Sequence, residues 1–152
     1  IPNTVRKTIK EISNFNVSMT TIHLQGGRDM IEASLESSLG TKIIGVSILT
    51  SLNDTDINEI YGSHFNDQFN RAINLAKSTE VDGIVCSPKE LIQLKDLNKI
   101  KIVPGIRNEV TNDDQKRTMS ASEAYKNGAD FIVVGRPITK ADNIKEAILD
   151  YS

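Results

Sequence analysis

The stretch "ADFIVVGRPI", Ala129 to Ile138, runs four apolar residues straight into a glycine and an arginine. The run is too continuous to alternate between a wet and a dry face, so it reads as a strand covered on both sides. Its ending admits two readings. Glycine lets a ligand approach the main chain and a guanidinium forks onto oxyanions, which makes an anion site. The same letters also make an ordinary turn with a surface arginine, and on this stretch alone the turn is the better reading.

Four further runs join it: "MTTIHL" (19–24), "KIIGVSIL" (42–49), "DGIVCS" (82–87) and "IKIVPGI" (100–106), with "DFIVVG" (130–135) as the fifth. Several are near-continuous, as strands of a parallel sheet are. Helical patterns separate them. "SPKE" puts Ser87 at an N-cap, Pro88 at the first helical position and Glu90 where it closes a capping box. "SASE" repeats the device with Ser120 and Glu123, and Gly128 stands where a helix ends. Phe65, Phe69, Ala72, Ile73 and Ala76 share one helical face, as do Val5, Ile9 and Ile12 near the start; Ile144, Ala147, Ile148 and Tyr151 form a closing helix. Strand and helix in alternation predict a parallel α/β architecture, either a barrel or an open doubly wound sheet. An eight-stranded barrel takes about 250 residues. This chain has 152, so an open sheet would be complete and a barrel would lack its first three strands.

Composition narrows the function. The chain is 38% hydrophobic and 25% charged, the profile of one globular domain over residues 1–152. A net charge of −2, with no basic block longer than Lys116-Arg117, gives no electrostatic reason for a nucleic-acid partner. The single cysteine, Cys86, excludes an internal disulfide framework and fits a reducing compartment. No apolar run is long enough to cross a membrane, and the opening "IPNTVRKTIKE" lacks the apolar core of a signal peptide. A cytoplasmic location is expected. Metal-ligand spacings, GxSxG, GxGxxG and Walker loops are all missing from the sequence.

Ligands of parallel α/β folds bind at the carboxyl ends of strands. There stand "HLQGG", "ILTS", "VPGIR" and "VGR". For His23 alone, a hydrogen-bonded core histidine is the better reading. Arg107 and Arg136, just past the last two strands, point to a phosphorylated substrate, with Gly135 offering its backbone N–H. The polar stretch "NEVTNDDQKRTM" after Arg107 is either a solvated loop or a lid whose hydrogen-bonding side chain is Gln115.

In order, "IPNTV", "HLQGG", "ILTS", "VCSPKE", "VPGIR", "DDQKR" and "MSASEAYKNGADFIVVGRPIT" resemble the bacterial type of orotidine 5'-monophosphate decarboxylase from the first residue to the last helix. The resemblance implies a (β/α)8 TIM barrel, of which this chain supplies about the last five βα units. It implies a homodimer with active sites at the subunit interface, and decarboxylation of orotidine 5'-monophosphate to UMP without cofactor or metal. By motif, Arg107, Gly135 and Arg136 would hold the 5'-phosphate. Gln115 would close over it, Thr50 would sit against the base, and Ile1, Pro2, Asn3 and Thr4 would line the site. Hexulose-phosphate synthases and keto-gulonate-phosphate decarboxylases resemble the same fold and phosphate site but use a metal, and "DQKR" after "PGIR" speaks against them. A non-catalytic phosphate-binding fragment is the reading from another class.

One departure stands out. The family's Asp-x-Lys-x-x-Asp signature, whose lysine protonates the carbanion at C6, directly precedes its "IPNTV", whereas this chain starts at Ile1. No catalytic residue is therefore assigned within the chain. Residues 1–152 alone are expected to bind phosphate weakly at best and not to decarboxylate. A direct assay for UMP formed from orotidine 5'-monophosphate by this polypeptide checks it; any turnover above buffer contradicts it.

Overall fold

The computed structural model describes residues 1–108 and 118–152. In chain order the elements are α1 (Pro2–Ser13), β1 (Met19–His23), α2 (Arg28–Glu36), β2 (Lys42–Val46), α3 (Asp54–Tyr61), α4 (Phe65–Ser78), β3 (Gly83–Val85), α5 (Pro88–Leu91), β4 (Ile100–Pro104), α6 (Ala121–Lys126), β5 (Phe131–Val133), α7 (Arg136–Thr139) and α8 (Ile144–Leu149). The strands pair in chain order, as the alternation of strands and helices predicts. The chain divides into two compact units, Ile1–Ile84 and Val85–Ser152.

In the first unit β1 and β2 run parallel, from Met19 against Lys42 to His23 against Val46. Ile43 and Ile44 point to opposite faces and are both wholly buried, so β2 is the doubly covered strand its continuous apolar run predicts. Gly45 follows because Leu24 occupies the space above it. A Cβ at Gly45 would lie 2.6 Å from Leu24 Cδ2. The predicted face of α4 is buried through Phe69, Ala72, Ile73 and Ala76, and Phe65 stacks on Phe69 with ring centres 6.1 Å apart. Helices α2 and α3 are not anticipated by the sequence reading. The first is capped by Gly27, which has no side-chain oxygen, and the second buries only Ile57.

In the second unit the predicted capping box at Ser120 forms in full, and at Ser87 its Glu90 half forms while the Ser87 hydroxyl makes no bond among the described residues. Glu90 Oε2 accepts from the Ser87 N–H at 2.8 Å. Glu123 Oε2 accepts from the Ser120 hydroxyl at 2.8 Å, and this bond, with a second from the Ser120 N–H, holds the Glu123 carboxyl below its ordinary range. Gly128, at φ 94°, ends α6 in the left-handed conformation that a glycine reaches without strain. Strand β5 departs from expectation. Phe131 and Val133 are 48% and 49% exposed rather than covered; two residues apart, they share one face of β5, and among the described residues that face is not packed over.

The same clamp sets the strand register in both units. Asp82, immediately before β3, donates its N–H to the Ile43 carbonyl at 2.9 Å and accepts the Ile43 N–H on Oδ2 at 2.7 Å. Asp130, immediately before β5, donates to the Lys101 carbonyl at 2.9 Å and accepts the Lys101 N–H on Oδ2 at 2.8 Å. One aspartate thus satisfies both backbone groups of one residue on the preceding strand, and a one-residue slip would break both bonds. A lysine lies 3.9 Å from each carboxylate, a distance at which the pair adds little. Urea unfolding of Asp82→Ala and Asp130→Ala should show each losing about 1.5 kcal/mol, the low end for a hydrogen bond to a charged acceptor. Gly45→Ala should lose about 1–3 kcal/mol by overpacking against Leu24. Unchanged midpoints for both aspartate variants would contradict the clamp.

Candidate functional site

The β4–β5 ladder ends with Pro104 opposite Val133. Arg107 lies three residues past Pro104 and Arg136 three past Val133, so the register brings both arginines the same number of residues beyond the ladder. Gly105, at φ 77°, turns the chain between strand and arginine in a conformation that favours glycine. The segment then docks: Ile106 bridges to Met119, and the Arg107 N–H donates to the Met119 carbonyl at 2.9 Å. Arg107 is buried, 9% exposed. Its Nη1 donates to the Ile106 carbonyl at 2.7 Å, part of what offsets the cost of holding a guanidinium away from water.

Arg136 opens α7 behind Gly135, with Pro137 supplying a preset φ in the first turn. Arg107 and Arg136 line one cavity of about 770 Å³, shared with Asn108, Lys140, Glu146 and Asp150. Guanidinium groups present planar forks that match the oxygens of a phosphate, so this wall suits a phosphate monoester. Gly135 serves no packing need, since a Cβ placed there meets no atom within 4 Å.

The remaining sequence-predicted residues fall in the first unit or outside the described residues. Ile1 caps α1 and is 84% exposed, and Pro2, Asn3 and Thr4 form the first turn of that helix. Thr50 is half-buried in the loop after β2. Gln115 lies outside the described residues. His23 corrects an expectation: it ends β1 with its side chain exposed, not as a core histidine, because its position in the strand points it away from the face on which Ile22 is buried. Asn108 and Lys140 are lining residues the sequence reading did not single out, and no local motif marks either.

Over residues 1–151 the chain matches the family model described as "Orotidine 5'-phosphate decarboxylase / HUMPS family". The chain belongs to that family. Among curated relatives, orotidine 5'-phosphate decarboxylase of Ehrlichia chaffeensis is 40% identical over 157 residues, covering 99% of this chain and 68% of the relative. That of the Wolbachia of Brugia malayi is 42% identical over 151 residues, covering 94% and 66%. The chain spans about two thirds of the length of the curated relatives it matches. Among solved structures, an orotidine 5'-phosphate decarboxylase from Lactobacillus acidophilus superposes with a TM-score of 0.82 at 29% identity, over 99% of this chain and 70% of the other. One from Pyrococcus horikoshii gives 0.75 at 26%, over 99% and 67%. The five parallel βα units of this decarboxylase-family chain are part of a TIM barrel, as the resemblance implies.

Cys86 is not among the residues that line the cavity. It is wholly buried, and burial first, then the Glu90 carboxylate, push its thiol up to about 12, with Lys101 opposing. A thiolate is the reactive form. Iodoacetamide at pH 8 should leave Cys86 of the folded chain unmodified over hours and label it promptly in urea; prompt labelling of the folded chain would contradict this burial.

Proposed function

We propose that this protein serves the decarboxylation of orotidine 5'-monophosphate to UMP, with Arg107, Arg136 and the Gly135 main chain gripping the 5'-phosphate. The observation that supports this most is the pair of arginines delivered by one strand register to one cavity, in a chain of this family. Loss of CO2 leaves an electron pair on C6 of the pyrimidine. Catalysis then needs a cation held at that carbon, an environment organised for the charge, and a proton for it. The Asp-x-Lys-x-x-Asp signature that the family resemblance assigns to this step does not occur among these residues. The part assigned to this chain is the phosphate grip. A grip remote from the reacting carbon contributes binding energy that can drive closure and orientation around it.

In the same reading Gln115 closes over the phosphate, Thr50 contacts the base, and Ile1 to Thr4 line the site in a homodimer. The reaction takes no cofactor. A cytoplasmic location accompanies it; no helix among the described residues is long and apolar enough to cross a membrane.

Calorimetric titration with UMP and with uridine tests the proposal. UMP should bind detectably and uridine far more weakly. Arg136→Ala should weaken UMP by about 10- to 100-fold, the worth of hydrogen bonds to a charged group, without altering uridine. Equal affinities for UMP and uridine would contradict the phosphate grip.

A further inference from the structure

Asn108 lines the cavity and ties the start of α6 to the end of α8. Its side-chain Nδ2 donates to the Asp150 carbonyl at 2.6 Å, and its Oδ1 accepts the Ala121 N–H at 3.1 Å. Its own N–H donates to the Tyr151 hydroxyl at 3.3 Å. Ala121 is the first residue of α6, and Asp150 is the residue that closes α8. The first N–H groups and the last carbonyls of a helix have no partner within the helix. The amide of Asn108 serves one group of each kind, and a carboxamide can do so because it carries a donor and an acceptor side by side.

These bonds converge on the neighbour of Arg107. The Arg107 main chain is held on one side by Met119, and Asn108 holds it on the other against the end of α8, whose Glu146 and Asp150 line the same cavity. We propose that Asn108 is a positioning residue: by bridging the start of α6 to the end of α8 it fixes the direction in which the Arg107 guanidinium meets a phosphate. The inference rests on reading the cavity as a phosphate site. It assigns Asn108 no contact with the ligand. An arginine fork discriminates only when its plane is held, so a residue that holds the plane alters affinity through the arginine.

A double-mutant cycle on the 152-residue chain, read by titration with inorganic phosphate and followed through the Arg107 and Gly135 amide resonances, tests the inference. Asn108→Ala should weaken phosphate about 10-fold when Arg107 is present and by less than twofold on the Arg107→Ala background, because the bridge acts through that side chain. Asn108→Ser keeps a neutral donor and acceptor on a shorter side chain and should fall between the wild type and Asn108→Ala, which also covers the case in which the alanine variant folds poorly. An equal loss on both backgrounds would make Asn108 merely structural and overturn the inference, as would no loss at all. A wild-type chain that binds inorganic phosphate but not UMP would refute the nucleotide reading and leave the cycle to decide Asn108. No phosphate binding by the wild-type chain would overturn both.

Discussion

The aspartate clamp is the constraint on which the site depends. Parallel strands make slanted, evenly spaced ladders with no tight turn to set their alignment, so register must be specified by side chains. Asp130 specifies it by taking both backbone groups of Lys101. From that anchor the ladder runs to Pro104 opposite Val133, and the two arginines emerge at matched offsets. Asp82 does the same to Ile43 in the other unit. The clamps stand at the amino ends of the strands and the arginines beyond the carboxyl ends, so the register anchor and the proposed phosphate grip are at opposite ends of the same ladder.

At the carboxyl end the protein holds a cation in a position that costs energy. Arg107 is nearly buried, and a buried guanidinium is tolerated when its donors are occupied and its backbone is fixed. Gly105, Met119 and Asn108 supply that fixation from three directions. A preorganised arginine loses less freedom when phosphate arrives, which raises the affinity obtained from the same contacts. For the proposed decarboxylation this matters because the reacting carbon is uncharged until CO2 leaves, and binding energy must be gathered elsewhere on the substrate.

What could be read from sequence was local. The capping boxes at Ser87 and Ser120 and the terminator Gly128 depend on residues within a turn of one another; the last two form as read, and at Ser87 the Glu90 carboxylate takes the N-cap N–H. The buried face of α4 follows from its period. Helix α2 escapes because Gly27 caps it without a side-chain signal. The exposure of His23 and of Phe131 and Val133 depends on what packs against each strand, which letters in a row do not record. The arginines could be named from their motifs; that they share a cavity follows only from the register. Asn108 carries no motif, since its partners lie 13 and 42 residues away.

The most direct test is a crystal structure of the protein with UMP bound. This account predicts the 5'-phosphate within hydrogen-bond distance of both the Arg107 and Arg136 guanidinium groups, beside the Gly135 main chain. A phosphate bound elsewhere, or one touching neither arginine, would contradict it.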